Sequence, residues 1–493
     1  MSFQLAMRTN EPLVLELIQW ICAASPDSIV NETISRFGPD PSADPGSIDE
    51  DAFWTATVLA ATHHVNNQAH NFMGFVSHAM IGAVDARKLA HGQPAPIRRL
   101  LLLQSLVQVV ADMHDLYLSP YQLLPARPFQ EASVPESIRC LRRDVRIGEC
   151  LAVDHRLVGL RDALPTADLV DLILDIGLEG IVTDDHTLIS PVLSLSIIDD
   201  LIGWQRGFDL LRWAPRYSAS FQVDVGSYER SLALRDEFDL RAGPRASHFQ
   251  PERILPLSEH LLAASPADRP RLVARALAED CCAPATVAAA AARAACTMYL
   301  MVEPVPHSDY DAVSREVAPI HIGNSLRMLQ EGLAYMQPPT QVLAALQAGS
   351  LLERGPSVID REFRFVPFTP GRAFPFPEDV AALTGRSPTY ILDALDAALP
   401  AHDYRTATAA VHAYAALDAP PTALIDRLVA AACTDNGTIL HNFKHLNSMI
   451  TQFYRSQLPD RWDFLAQAAR FIAWYCGVST DVYRRAVAVQ PQW

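Results

Sequence analysis

The chain reads as all-α: a large multi-helix bundle of helical hairpins around a buried histidine-rich site. Three observations predict this. Apolar residues recur at the helical period through most of the chain. Strand-like alternation is brief, around residues 363–368. Proline-rich punctuation at 38–46, 119–130, 242–256 and 354–377 separates the helical runs. The expected organisation is one mostly helical domain over 1–493, or two lobes of about 1–240 and 257–493 that share the site.

Residues 62–82, THHVNNQAHNFMGFVSHAMIG, carry four histidines and no carboxylate. Placed on a helix, His63, His64, Asn67, His70, Asn71, Gly74 and His78 fall within an arc of roughly 120°. Val65, Ala69, Phe72, Val76, Ala79 and Met80 occupy the opposite arc. A solvated helix face would carry Lys and Glu, whereas imidazole and carboxamide suit a lined interior. The stretch is therefore predicted to be a buried helix facing a site. His64 and His78 would stand about 21 Å apart along its axis, so one helix can give an ion only one or two ligands.

Further along, the helical period is clear in 98–112, 167–179, 188–201, 325–335 and 390–399. The Ala-rich run 285–302 is interrupted by Arg293 and reads as a core helix rather than a membrane span. Four blocks share a plan in which an apolar helix leads through a polar turn to a second helix bearing a histidine: 53–83, 169–203, 288–329 and 424–453. The last contains DNGTILHNFKH, where His441, Lys444 and His445 share one helix face. A lysine between two histidines either turns its ammonium outward to water or is not an ammonium.

Composition excludes several classes. With 49% hydrophobic and 19% charged residues over 493 positions, the chain is long and apolar enough for a large core. A net charge of −16, from 40 basic and 56 acidic residues, leaves no surplus for a phosphate-backbone partner, so nucleic acid is not expected. The N-terminal residues lack the features of an export signal, which predicts a cytoplasmic protein with no membrane partner. Cys22, Cys140, Cys150, Cys281, Cys282, Cys296, Cys433 and Cys476 form no CxxC pair and lie in apolar helical contexts, which predicts buried, reduced thiols.

Motif searches narrow the chemistry. The sequence has no phosphate-cradling glycine loop, GxGxxG, GxSxG or HExxH, so nothing supports a nucleotide, serine-hydrolase or zincin reading. It has no Glu-x-x-His either, which removes the carboxylate-bridged di-iron bundle. His307-Ser308-Asp309 matches the start of a facial triad, but its flanks are helical and proline-bounded.

Taken in order, His70-Asn71 followed by SHAMIGA at 77–83, DDHTLISPVLSL at 184–195, SDYDAVSREVAPIHIGNS at 308–325 with His321, and His441-Asn442-Phe443-Lys444 resemble the questin oxidase-like family of helical oxygenases acting on aromatic polyketides. The correspondence runs from about 53 to 475. It departs from the family pattern at Ser190, where a further histidine is expected, and in the longer spacing from His70 to His78. The resemblance implies a non-heme metal enzyme that uses several histidines and a carboxylated lysine. Its ligands would be drawn from His70 or His78, His186, His321, His441 and Lys444.

An imidazole-rich site with one anionic oxygen suits Fe(II), with Mn or Zn as alternatives, and dioxygen as co-substrate. Asp184 and Asp185 are placed to orient His186, and Phe72, Phe75, Tyr310, Phe443 and Trp474 are candidate pocket residues for an aromatic small molecule. The expected function is a metal-dependent oxygenase acting by oxygen insertion or carbon–carbon cleavage. The alternative is a non-catalytic helical scaffold or small-molecule-binding protein with structural core histidines.

Overall fold

A computed structural model of the chain describes residues 7, 9–37, 49–67, 77–116, 118–221, 224–302, 312–355, 357–359, 365–367 and 371–489; for 312–319 and the two strands the backbone alone is described. Among these residues are twenty-three α-helices and one two-stranded antiparallel sheet. The strands, Ser357–Ile359 and Phe365–Pro367, pair with Val358 opposite Val366. They lie in and beside the short stretch where the sequence alternates.

Local chemistry sets many of the helix starts. Side chains of Asp49, Ser133, Ser387 and Asp403 accept from the backbone N–H groups of Ala52, Glu136, Tyr390 and Thr406, which satisfies donors that have no partner inside the helix. Gly148, in the left-handed region at φ 85°, closes Val134–Ile147.

The chain divides into two compact units, Met1–Arg230 with Glu331–Thr340 and Arg485–Trp493, and Ser231–Gln330 with Gln341–Arg484. In the first unit, Glu50–His64 packs against Glu11–Ala23 and Ala79–Ala90, and Ala79–Ala90 packs on Ala95–His114. Thr166–Gly180 lies against His186–Ile197, and Trp204–Phe221 covers the latter from another side. The approach of Thr166–Gly180 to His186–Ile197 is close because Gly177 has no side chain: a Cβ there would stand 2.6 Å from the Thr187 carbonyl oxygen. A π-helical turn, Ile198–Ile202, follows His186–Ile197, and Gly203 at φ 76° turns the chain into the next helix.

In the second unit, Trp462–Tyr475 is the central helix, packed by Tyr404–Ala415, His441–Arg455, Pro284–Leu300 and Thr422–Ala432. Its Arg470 is buried, donates to the Tyr299 carbonyl and lies over the Tyr299 ring at 4.3 Å. The Ala-rich helix Pro284–Leu300 is buried along most of its length. No helix among the described residues is long and apolar enough to cross a membrane.

Two sequence expectations are corrected. The single helix over 62–82 does not form: Glu50–His64 stops and Ala79–Ala90 starts separately. Val65 is extended at φ −117°, ψ 136°, and the Asn67 amide donates to the carbonyls of Ala61 and Val65. The His63 carbonyl, which a continuing helix would use, accepts instead from Leu123 N–H. Tertiary hydrogen bonds thus take the groups that helical periodicity alone would have paired. Second, the thiols are free but not uniformly buried. Cys22 and Cys281 are exposed, and Cys281 sits at φ 51° in a turn rather than in a helix.

Candidate functional site

Each unit brings two of the nominated histidines together. In the first, His78 immediately precedes Ala79–Ala90 and His186 opens His186–Ile197. His78 is located by its neighbours: Ser77 Oγ donates to Asp112 Oδ2 at 2.7 Å and accepts from Ala79 N–H at 3.2 Å. Asp112, on Ala95–His114, also accepts from Gln108 at 2.7 Å. Burial outweighs these bonds and pushes the Asp112 carboxyl up to about 6.

The His78 and His186 rings are perpendicular, with Nε2 atoms 3.1 Å apart. The other nitrogen of His186 is held by carboxylates: Nδ1 is 2.7 Å from Asp184 Oδ1 and 3.4 Å from Asp185 Oδ1. Asp184 Oδ1 also accepts from the His186 backbone N–H, and Oδ2 accepts from the Tyr217 hydroxyl at 2.5 Å. Burial by itself would raise the Asp184 carboxyl. The charge and hydrogen bond of His186, with the Tyr217 hydroxyl, overcome it and hold Asp184 below the ordinary carboxylate value. In the neutral ring that a metal would bind, the ionised Asp184 accepts from Nδ1–H, which leaves the Nε2 lone pair turned toward His78.

In the second unit, His321 lies on Ala312–Gly332 and His441 opens His441–Arg455. Their Nε2 atoms are 3.0 Å apart. His441 repeats the anchoring seen at His186 with a different acceptor. Its Nδ1 donates to the Thr438 carbonyl at 2.7 Å, and its backbone N–H uses the same oxygen at 3.0 Å. One turn along the same pair of helices, His445 Nδ1 meets Asn324 Oδ1 at 3.2 Å. His445 is 0% exposed, and its Nε2 has no hydrogen-bond partner among the described residues. Burial first, then the charges of His321, Lys444 and Arg470, push His445 down to about 3, so it is neutral.

Lys444, at 1% exposure, is buried rather than turned to water. Of the sequence-nominated residues, His78, His186, His321, His441 and Lys444 are all placed, the four histidines in pairs. His70 lies outside the described residues, as do His307, Asp309, Phe72, Phe75 and Tyr310. Phe443 is buried, and Trp474 packs on a buried cluster of Tyr299, Ile320, Phe471 and Tyr475.

Sequence reasoning missed Tyr217, Asp112, Ser77, Asn324 and Thr438. The Thr438 role had a local signal, a turn residue three positions before a helix-opening histidine. Tyr217, thirty-three positions from Asp184, had none.

The donor set fits a divalent metal. Two nitrogens each about 2.1 Å from one ion stand about 3.0 Å apart at a right angle and about 3.4 Å apart at a tetrahedral angle, against 3.1 and 3.0 Å in the two pairs, a spacing that a hydrogen bond between the rings also gives. His186 and His441 have the outward nitrogen fixed by a carboxylate or a carbonyl, the arrangement that orients metal-binding imidazoles. Asp184 and Asp185 lie on the Nδ1 side of His186, where they orient the ring and add negative charge.

No protein-family model matches the chain, and comparisons with curated proteins and with solved structures find no match either.

Proposed function

We propose that the protein is a metal-dependent oxygenase acting on an aromatic or polyketide-like small molecule, with Fe(II) as the metal and Mn or Zn as alternatives. The observation that carries this reading is the repeated arrangement at His186 and His441. Each has Nδ1 committed to an oxygen, and each faces a second imidazole at 3.0–3.1 Å through Nε2. The candidate ligands are His78 and His186 in the first unit and His321, His441 and Lys444 in the second. Asp184 and Asp185 add negative charge beside His186.

A bound ferrous ion would supply the one-electron chemistry needed to use dioxygen, which side chains alone do not provide. The chain's own groups fix the tautomers of His186 and His441 and bury most of the donors. The resemblance read from the sequence favours an aromatic substrate and insertion of oxygen or cleavage of a carbon–carbon bond.

Lys444 is proposed to bind as a carbamate. A buried lysine beside a cation is disfavoured as ammonium by both desolvation and like charge, and the neutral amine can add to carbon dioxide, forming the N–C bond and giving up one N–H proton to water, to leave a long carboxylate. Mass spectrometry of Lys444 under bicarbonate, and loss of metal in both Lys444→Ala and Lys444→Arg, test this. Full activity of the Arg variant overturns it.

The rival reading, a scaffold or small-molecule-binding protein with structural histidines, draws on the same bonds: each pair can be satisfied by one shared proton without any ion. Metal analysis of protein purified without chelator decides between them. Stoichiometric transition metal, with dioxygen uptake coupled to an added aromatic substrate, supports the oxygenase. A folded, persistently metal-free chain, or complete turnover without dioxygen, rejects it.

A further inference from the structure

The turn that precedes His441 is more constrained than a connection between two helices requires. Between Thr422–Ala432 and His441–Arg455, Ile439 and Leu440 both adopt the left-handed region, at φ 53° and 61°. A branched residue there is strained, and a β-branched isoleucine is a backbone outlier. Two in succession persist only when the surroundings hold them.

The holding group is Asp435. Its carboxylate Oδ1 accepts from Gly437 N–H at 2.8 Å, and Oδ2 accepts from the N–H groups of Val478 and Ser479 at 2.9 and 2.8 Å. The carboxylate therefore joins the turn to the segment after Trp462–Tyr475, and Asn436 N–H to the Ser479 carbonyl closes the same junction. The fit leaves no room for a side chain at Gly437, where a Cβ would lie 2.5 Å from Ser479 Oγ. Within the turn, Thr438 Oγ1 donates to Asn442 Oδ1 at 2.8 Å, and the Asn442 amide donates to the Ala432 and Asp435 carbonyls. All of this converges on one atom, the Thr438 carbonyl oxygen that accepts from His441 Nδ1.

We infer that Asp435 is a positioning residue for His441: by clamping the strained turn, it presents the Thr438 carbonyl to Nδ1 and fixes His441 in the Nδ1–H tautomer, whose Nε2 lone pair faces His321. This rests on the proposed metal role of His441 only for its consequence, since the tautomer itself can be read without metal. Asp suits the task because its two oxygens accept all three N–H groups. Asn would turn an N–H donor toward at least one of them.

The test uses the full-length protein labelled with 15N-histidine, with His441 signals assigned by their loss in His441→Gln. In the metal-free wild type, His441 is expected as the Nδ1–H tautomer. In Asp435→Asn and in Thr438→Val, which removes only the hydroxyl link to Asn442, the tautomers should become mixed. Anaerobic titration with ferrous iron should show affinity 10–100-fold weaker, the usual loss when such an orienting contact is removed. Leu395→Ala, a buried truncation on Pro388–Ala398, serves as a control for general destabilisation and should leave the tautomer unchanged. A wild-type tautomer in folded Asp435→Asn or Thr438→Val overturns the inference, as does a mixture equally large in Leu395→Ala. If wild type binds no iron while the tautomer shifts as described, the oxygenase reading fails and the positioning role stands.

Discussion

At the scale of single residues, the donors differ sharply from their surroundings in what they can lose. His441→Ala should abolish metal binding or cut it steeply, because a methyl group cannot replace an imidazole ligand. His91→Ala, at an exposed helix end, should change neither metal content nor stability measurably. His402 reads from the sequence as an indifferent loop residue. In the structure it stands at φ 57° with Nδ1 2.9 Å from the Ala473 carbonyl, so it ties down the end of Trp462–Tyr475. His402→Ala should therefore bind metal normally but lose about 1 kcal/mol of stability. Equal metal loss at all three positions would contradict the site.

Asp112 gives a second residue-scale prediction, in pH. Its carboxyl is raised from 3.8 to about 6, with burial the largest cause. The folded state thus holds a proton that the unfolded chain releases. The favourable contribution is full below the unfolded value and is lost as pH rises through about 6. Two pKa units correspond to about 3 kcal/mol. Asp112→Asn keeps an acceptor for Ser77 and a partner for Gln108, so it should flatten this part of the stability profile. Urea unfolding at pH 4, 5, 6 and 7 measures it, and parallel profiles for the two proteins would refute the assignment.

At the scale of elements, helix type was legible where periodicity is local. The run 390–399 becomes Pro388–Ala398, and 167–179 becomes Thr166–Gly180. Spacing failed at 62–82 because the groups that end the helix, Leu123 N–H and the Asn67 amide, act on backbone carbonyls that hydrophobic spacing does not describe. It also missed the π turn at Ile198–Ile202, which extends an otherwise periodic run.

The contact between Thr166–Gly180 and His186–Ile197 offers the sharpest test at this level. Gly177→Ala places a methyl 2.6 Å from the Thr187 carbonyl oxygen, a backbone atom that cannot rotate away. It should cost about 1–3 kcal/mol, the usual range for overpacking. Because Thr187 adjoins His186, it should also weaken metal binding. Stability and affinity both unchanged would mean that the helices can separate freely.

At the scale of the whole molecule, a metal that binds only the folded chain must stabilise it by mass action. Free ferrous iron at 100 times its dissociation constant should add about 2.7 kcal/mol to unfolding of the structure that holds it. Chelation should reverse the gain. With two compact units, unfolding need not be a single transition, so calorimetry with and without iron is the proper measurement. No transition moving with iron would count against the metal reading.

The sequence by itself determined the helical class, the acidic balance, and a short set of histidines in which all five later seen in pairs or beside them were already named, four of them as candidate ligands. These properties depend on composition and on neighbours within a few turns. Only the tertiary structure decided which histidine meets which. His78 finds His186 across 108 positions, and His321 finds His441 across 120. It also decided that Lys444 is buried, and which oxygens, Asp184 Oδ1 and the Thr438 carbonyl, fix the rings. The reason is physical: helical period is set by the backbone's own geometry, whereas partners so far apart are chosen by the joint packing of many apolar faces that look alike one at a time.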